Sequence, residues 1–397
     1  MKDERRTTRL RFVRAIHPSS FILHPSSFIL LTLSLAALSG ACRRAPSSDT
    51  RQLVAFSGPT MGTWFTVKMV EPPGGSAEQS EERGERGAES GERVDNHPSS
   101  FILHPSSFEV EALKGEVDGV LAEVDALMST YRPDSELSRL NRFAQTDWFA
   151  VSPETAAVID EAVRIGRLSG GAFDVTVAPL VNLWNFGPEK RAADRVPRGA
   201  EIEELKARIG LENLEVRLSP PAVRKKRGDL SIDLSGIAKG FAVDQVAEHL
   251  ERRGIRNYMV DVGGEVRARG RNQKGKPWQI AIESPLAGAR EIHRVLGLDG
   301  LAVATSGDYR NYFEKDGVRY CHIIDPSSGR PIAHKLASVS VLGASCSQAD
   351  AWATALMVLG PEDGYNLAVA QELAALFLVK SDSGFVEKAT PRFEEEW

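Results

Sequence analysis

The sequence of 397 residues has few cysteines, no excess of basic residues and only one long apolar run, and each shortage excludes a class of protein. Cys42, Cys321 and Cys346 are too few for a disulfide scaffold and lack zinc-site spacing. With 49 Lys and Arg against 54 Asp and Glu, the net charge of −5 argues against a nucleic-acid-binding protein. The single apolar run, at 28–42, excludes a polytopic membrane protein. A hydrophobic content of 42% excludes a wholly disordered chain, so we expect a globular body.

Residues 1–42 are organised like an export signal. Basic residues crowd the first 14 positions, and an apolar run from Phe28 to Cys42 ends in small residues. This pattern is typical of a secretory signal, and the run is short for a membrane-spanning helix. Cys42 resembles the lipidated cysteine of a bacterial lipobox, although Ser39 stands where an aliphatic residue is usual. We expect an exported protein on the periplasmic face of the membrane, lipid-anchored through Cys42, with simple secretion as the alternative.

A heptad, HPSSFIL, is repeated at 17–30 and again at 97–108. Proline in every unit forbids a continuous helix, so we interpret both copies as inserted low-complexity sequence rather than a coiled coil. Because four of the eight histidines lie in these repeats, the histidines are not pooled as a metal site. The second copy ends a Gly-, Glu- and Ser-rich segment at 71–108, which we predict to be a disordered insertion in one surface connection.

The remaining chain predicts an α+β fold. Apolar spacing indicates helices over 110–128, about 153–167 and 347–360, and a strand, glycine turn and amphipathic helix over 231–254. Alternating segments between 258 and 343 predict several strands. Strands outnumber helices and do not alternate regularly with them, which favours mixed or antiparallel sheets with packed helices over a doubly wound fold.

The segment SQADAWAT places a carboxylate and a hydroxyl on one helical face. Asp350 and Thr354 are four residues apart and close to a helix N-terminus, which attracts phosphate. Both side chains offer hard oxygen ligands, and Mg²⁺ is commonly held by one or two protein oxygens plus substrate phosphates. A Mg²⁺–phosphate site is therefore one interpretation. The alternative is a capping box in which Ser347 caps the helix and Asp350 completes the motif.

Two glycine-containing turns are further candidates. In DLSGIAKG (233–240), Lys239 and backbone groups could face a phosphate or metal, but the spacing is not that of a P-loop and an ordinary strand-to-helix turn is equally compatible. In the segment 169–187, two glycines before an apolar–acidic pair suggest close approach of the backbone to a ligand. Its alternative is a core-packing turn that buries Phe173 and Trp184.

His322 is expected in a strand before a Pro–Gly turn. It is either a buried core histidine or a general base acting on a hydroxyl, because the ordinary histidine pKa lies near neutrality. The adjacent Cys321 and the distant Cys346 could pair in an oxidising periplasm, but we predict two free, buried thiols.

Taken in order, the motifs resemble the ApbE family of FAD:protein FMN transferases, formerly labelled thiamine-biosynthesis lipoproteins. The resemblance covers about 53–385, apart from the 71–108 insertion and a weak stretch at 188–228. It implies a single T-fold-like catalytic unit, divided at most into two subdomains. The motifs are PTMGTWFTV, LMSTYRPDSELSRLN, GGAFDVTVAPLVNLW, IDLSGIAKGFAVD, VDVGGEV, ATSGDYR, HIIDPSSGRPI and ADAWATALMVLG.

The resemblance also implies a reaction and its partners. Mg²⁺-bound FAD is the substrate and is split at its pyrophosphate; FMN passes to a Thr or Ser hydroxyl of a target flavoprotein, and AMP leaves. The targets of the family are redox-pump subunits and related electron-transfer proteins, recognised through a short Thr-containing motif. Two alternatives stay open: a Mg²⁺-dependent FAD pyrophosphatase that releases FMN and AMP, and a flavin-binding lipoprotein without activity.

Site residues follow from the same resemblance. The metal ligands would be the side chains of Asp350 and Thr354 and the backbone carbonyls of Gly236 and Ala353. His322 matches the histidine proposed as base toward the target hydroxyl. At the position of Tyr131 the family has an aromatic residue in transferases and Asn in a variant that mainly hydrolyses FAD, so Tyr131 favours transfer. The flavin contacts would be Met61, Tyr131, Ala172, Phe173, Asp174 and Lys239, with Ile324 nearby.

Overall fold

The computed structural model describes residues 52–70, 107–189, 195–285 and 291–397. The predicted export signal with Cys42, and nearly all of the predicted 71–108 insertion, lie outside these residues. The helices within them are α1 (Ser107–Met128), α2 (Glu136–Arg142), α3 (Pro153–Leu168), α4 (Ala178–Leu183), α5 (Gly199–Lys206), α6 (Ala238–Arg252), α7 (Cys346–Ala370) and α8 (Pro391–Glu396). None of these described helices is both long and apolar enough to span a bilayer.

Seventeen strands occur in the same part of the chain, so the predicted α+β class is confirmed. They are β1 (Leu53–Thr60), β2 (Thr63–Val70), β3 (Trp148–Ala150), β4 (Leu214–Leu218), β5 (Pro221–Lys225), β6 (Tyr258–Val262), β7 (Glu265–Arg269), β8 (Trp278–Glu283), β9 (Ile292–Leu298), β10 (Leu301–Gly307), β11 (Tyr312–Lys315), β12 (Val318–Cys321), β13 (Ile324–Asp325), β14 (Arg330–Pro331), β15 (Leu336–Gly343), β16 (Ala374–Ser381) and β17 (Gly384–Ala389).

An eight-stranded antiparallel sheet organises the fold, in the order β1-β2-β6-β7-β10-β15-β16-β17. Successive residues of a strand point to opposite faces of the sheet. Here both faces carry buried apolar side chains. In β6, Val260 belongs to the larger core with α1, α6 and α7, whereas the adjacent Met259 belongs to a second core with Trp278 of β8 and Phe393 of α8. The sheet is therefore a layer between α1, α6 and α7 on one side and the β8–β9 hairpin with α8 on the other.

Several predictions made from neighbouring residues in the sequence are confirmed. Ser152 caps α3, its Oγ accepting the Thr155 N–H at 3.1 Å, with Pro153 in the first turn. α1 ends at Met128 as predicted. The predicted helix end at Gly360 is a break (φ 85°), after which α7 resumes at once. Cys321 and Cys346 are free and buried, as predicted.

Three local expectations were wrong. No strand forms at 231–234, since the Asn141 side chain satisfies both backbone groups of Ile232 at 2.8 Å. His322 lies between β12 and β13, not within a strand. The N-cap of α7 is Ser345 rather than Ser347, with its Oγ accepting the Gln348 N–H at 3.3 Å.

Candidate active site

A cavity of about 660 Å³ opens where the ends of β6, β7 and β10 meet the N-terminal turns of α6 and α7. Most of the residues expected at the site line it. Met61 and Ala353 do not: Met61 sits in the β1–β2 turn at φ 46°, and Ala353 is fully buried in α7. The expected residues that line the cavity are Tyr131, Ala172, Phe173, Asp174, Gly236, Lys239, His322, Ile324, Asp350 and Thr354.

The start of α7 is held by a buried carboxylate from α6. Asp244 accepts hydrogen bonds from the backbone N–H groups of Cys346 (3.0 Å) and Ser347 (2.9 Å) and from the Ser345 hydroxyl (2.9 Å). A carboxylate at a helix N-terminus also complements the helix dipole. This contact aligns the first turns of the two helices and so sets the position of Asp350, one turn into α7.

Close packing of the two helix starts brings Asp350 to the N-terminus of α6. A Cβ on Gly240 would lie 2.3 Å from the Cys346 carbonyl oxygen and 2.8 Å from the Ser347 Cα, so only glycine fits. The Gly240 N–H donates to Asp350 Oδ2 at 3.1 Å. Asp350, 3% exposed, therefore binds outside its own helix, and the capping-box interpretation is wrong.

Three charged side chains meet next to this contact. Lys239 Nζ lies 2.9 Å from Glu265 Oε1 and 3.3 Å from both carboxylate oxygens of Asp350. Burial lowers the pKa of Lys239, but the two carboxylates outweigh it and raise that pKa above its usual value. Burial, opposed by Lys239 and reinforced by Asp350, raises the pKa of Glu265 to about 7.

Thr354 brings a hydroxyl to the same wall, one helical turn after Asp350. A Cβ built on Gly236 would lie 3.2 Å from Thr354 Oγ1 and 3.0 Å from the Phe173 ring, so the backbone of Gly236 borders the hydroxyl. Ser306 Oγ lies 3.3 Å from the same oxygen. Carboxylate, hydroxyl and backbone oxygens are the donors that Mg²⁺ takes, usually with substrate phosphates completing the shell.

This donor set fits a magnesium ion that binds together with its substrate. Among the described residues no group of three or more His, Cys, Asp or Glu side chains could hold a metal by itself. Asp350 and Thr354 supply two side-chain oxygens, and Glu265 Oε2, buried in the cavity wall, has no hydrogen-bond partner within the described chain. An excess of buried negative charge of this kind is stabilised by a cation.

His322 lines the same cavity. Its Nδ1 lies 3.2 Å from the Asn311 carbonyl oxygen, which can only accept, so Nδ1 carries the proton and Nε2 keeps a lone pair. The Phe186 ring packs edge-on against the imidazole, with centroids 6.3 Å apart. Burial lowers the pKa of His322; Lys239 acts in the same direction, and the Asn311 bond and Asp308 oppose it. A neutral ring with an available Nε2 is suited to accept a proton near neutral pH.

The glycine turn at 170–171 leads to Phe173 and Asp174. Asp174 Oδ1 accepts from the Thr176 N–H at 2.7 Å and from its hydroxyl at 2.6 Å, which fixes the loop as it passes the cavity. Burial raises the pKa of Asp174 against these two bonds. Tyr131 lines the cavity and is 66% exposed, so it lies at the rim, where its hydroxyl donates to the Phe186 carbonyl at 3.3 Å.

Sequence reasoning missed most of the charge in the cavity. Six acidic side chains and three basic ones line it, an imbalance that composition cannot reveal. Glu265 was not among the expected site residues, although it belongs to the motif VDVGGEV; both glycines before it have positive φ, and the turn that they form places Glu265 next to Lys239. The acidic residues are Asp174, Asp233, Asp261, Glu265, Glu283 and Asp350, and the basic residues are Lys68, Lys239 and Arg310.

Comparison with known proteins gives a consistent result. Residues 61–377 match the model of the ApbE family. A FAD:protein FMN transferase of Vibrio cholerae is 43% identical over 360 residues, covering 91% of this chain and 97% of that protein. The proteins of the same name from Haemophilus influenzae and Escherichia coli K12 are 45% and 40% identical, each over 68% of this chain and over 78% and 77% of their own lengths.

Solved structures show the same architecture. The flavin transferase ApbE from Vibrio cholerae matches with a TM-score of 0.74 at 43% identity, covering 87% of this chain and 100% of that one. The apo form of the Pseudomonas stutzeri flavinyl transferase ApbE matches with a TM-score of 0.72 at 38% identity, covering 87% and 97%.

Proposed function

This chain belongs to the ApbE family, and from that premise we propose that it transfers FMN from FAD to a Thr or Ser hydroxyl of a target flavoprotein and releases AMP. The observation that carries the proposal is one cavity lined by His322, whose Nε2 keeps a lone pair, together with Lys239, Asp350 and Thr354. A base in the same cavity as anion- and cation-binding groups suits cleavage of a pyrophosphate by a hydroxyl.

Binding of the FAD pyrophosphate is assigned to the wall formed by α6 and α7. Lys239, which lines the cavity, supplies a positive charge with three donor hydrogens. Asp350, Thr354 and the Gly236 carbonyl would hold Mg²⁺, which when bound neutralises charge on the pyrophosphate. Ala353 stays a predicted fourth ligand through its carbonyl, although its side chain is buried away from the cavity.

The transfer step is assigned to His322 and the acceptor hydroxyl. The hydroxyl oxygen forms a bond to the phosphorus of the FMN half while the bond from that phosphorus to the bridging oxygen breaks. Nε2 of His322 takes the hydroxyl proton, and AMP leaves with the bridging oxygen. Tyr131 and Phe186 lie at the opening beside His322, where they would exclude water that competes with the acceptor.

The setting of the reaction is also part of the proposal. The basic and apolar leader supports export, and the position of Cys42 supports a lipid anchor on the periplasmic side of the membrane. The acceptor would then be a periplasm-facing redox-pump subunit or a related electron-transfer protein. Globomycin, which blocks the peptidase that processes bacterial lipoproteins, should cause an unprocessed precursor to accumulate; unchanged processing would favour simple secretion.

Purified protein incubated with FAD, Mg²⁺ and an apo-flavoprotein subunit that presents a Thr in its flavin-attachment segment tests the proposed activity. We expect flavin fluorescence to stay on the acceptor after denaturing electrophoresis, and AMP to appear in equal amount. Replacing the acceptor Thr by Val is the control and should abolish labelling. Free FMN and AMP without labelled acceptor would instead identify a FAD pyrophosphatase, and intact FAD a binding protein.

A further inference from the structure

We infer that Glu265 is a positioning residue that holds Lys239 in the cavity while Asp350 binds the metal. The inference rests on the proposed function for the identity of the substrate. Glu265 opens β7, is 4% exposed and lies directly against Lys239, 2.9 Å from Nζ. It is not one of the residues that sequence resemblance implies for the site.

The geometry shows why a second carboxylate is needed. Lys239 lies between two acids, closer to Glu265 Oε1 at 2.9 Å than to Asp350 at 3.3 Å. When a divalent cation binds Asp350, that carboxylate is compensated and the cation repels the ammonium group. Without a second anion Lys239 would then leave the wall, because a lysine side chain is flexible and strongly hydrated.

Glu265 keeps Lys239 in place when a cation at Asp350 repels it. One hydrogen of the Lys239 ammonium stays on Glu265 Oε1, and the other two are available to phosphate oxygens. Glu265 Oε2 is buried without a hydrogen-bond partner among the described residues, and Glu265 lines the cavity. With Glu265 ionised, two carboxylates face one ammonium group, so Glu265 gives this cluster a net negative charge that favours a cation. Two properties of Glu265 therefore have separate effects. Its negative charge raises the affinity for the metal, and the length of its side chain sets the position of Lys239.

Two substitutions separate the two effects. Glu265→Gln removes the charge and keeps the shape, so we expect weaker Mg²⁺ binding by calorimetry and a loss of about 10–100-fold in kcat/KM for FAD cleavage. Glu265→Asp keeps the charge but is shorter by one carbon–carbon bond of about 1.5 Å. We expect it to retain wild-type Mg²⁺ affinity but to lose FAD cleavage. Both are measured at pH 8, above the pKa of about 7 of Glu265.

A double-mutant cycle tests whether Glu265 acts through Lys239. In a Lys239→Met background the further change Glu265→Asp, which keeps the charge and changes only the reach of the side chain, should alter kcat/KM for FAD by less than about twofold. The matched control is Glu251→Gln. Glu251 and Arg269 form an ion pair of 2.9 Å between the same two elements, α6 and β7, outside the cavity. This control should leave Mg²⁺ affinity and FAD cleavage at wild-type values.

Three results would overturn the inference: wild-type Mg²⁺ affinity and FAD cleavage in Glu265→Gln, an undiminished effect of Glu265→Asp in the Lys239→Met background, or an equal loss in Glu251→Gln. Its failure can be told apart from failure of the proposed function. Calorimetry with Mg²⁺ alone needs no turnover, and FAD cleavage is measured as AMP release whether FMN reaches an acceptor or water. If the wild-type protein only hydrolyses FAD, the proposed transfer is refuted, but AMP release by the Glu265 variants still tests the role of Glu265.

Discussion

Replacing Gly240 by alanine should disable the site through the backbone. A Cβ at this position would lie 2.3 Å from the Cys346 carbonyl oxygen, about 1.1 Å closer than the 3.4 Å at which ordinary contact begins. The atoms it meets are backbone atoms at the start of α7, which are held by Asp244 and cannot turn away. The two helix starts must therefore separate, and the hydrogen bond from the Gly240 N–H to Asp350 lengthens from 3.1 Å.

The expected stability change follows from opposing contributions. Overpacking of a close contact costs about 1–3 kcal/mol, and weakening a hydrogen bond to a carboxylate costs about 1.5–3 kcal/mol. The gain in helix propensity from Gly to Ala offsets about 1 kcal/mol of this loss. The Gly240→Ala protein should therefore be less stable by about 1.5–5 kcal/mol, and it should lose Mg²⁺-dependent FAD cleavage because Lys239 and Asp350 move apart.

Urea unfolding followed by circular dichroism measures the stability, and AMP release measures the cleavage. Gly119→Ala is the matched control, because Gly119 also lies within a helix, α1, and a Cβ there meets nothing within 4 Å. That variant should gain about 1 kcal/mol and keep full activity. A Gly240→Ala protein as stable and as active as the control would refute the steric reasoning.

Three further predictions concern single side chains. Asp350→Ala should abolish Mg²⁺-dependent AMP release; wild-type turnover would place the metal elsewhere. Because burial lowers the pKa of His322 and the unprotonated ring is the base, the acid limb of kcat/KM for flavin transfer should lie below 6.5. An acid limb at or above that value, or its persistence in His322→Gln, would exclude His322 as the base. Tyr131→Asn should admit water at the opening and shift the products, measured by chromatography, from labelled acceptor to free FMN; an unchanged ratio would count against that role.

Helix boundaries set by neighbouring residues could be predicted from the sequence. α3 starts where Ser152 and Pro153 predict it, because the Ser152 side chain accepts a hydrogen bond from the backbone N–H three residues later. Gly360 breaks α7 at the expected position. Such signals depend only on backbone groups within one turn, so they are visible in a linear sequence.

Boundaries decided by distant residues could not be predicted. Ser345 and Ser347 are equally good caps for α7, and Asp244, about 100 positions earlier, decides between them by binding the Ser347 N–H. The absence of a strand at 231–234 depends in the same way on Asn141, 91 positions away from Ile232. In both cases a single buried side chain outweighs local preference, because an unpaired buried backbone group is costly.

The candidate site shows the same division. Its motifs could be recognised in order along the chain, but the triad of Lys239, Glu265 and Asp350 spans α6, β7 and α7, and nothing in their spacing predicts that they touch. Glu265 follows a turn of two glycines with positive φ, a signal that marks backbone shape and not the role of the next side chain.

The charge of the cavity connects the metal to the substrate. Six acidic residues against three basic ones would repel the dianionic pyrophosphate of FAD, and within a partly desolvated cavity that repulsion is stronger than in water. Under the proposed function a divalent cation must therefore enter with FAD rather than be added to a complex already formed. The coupling is reciprocal: the factor by which Mg²⁺ raises FAD affinity equals the factor by which FAD raises Mg²⁺ affinity. FAD binding to the wild-type protein that is as tight in EDTA as in Mg²⁺, measured by flavin fluorescence, would contradict this account of why so acidic a cavity binds an anion. Asp350→Ala, which lacks the metal ligand, is the control and should bind FAD equally in both conditions.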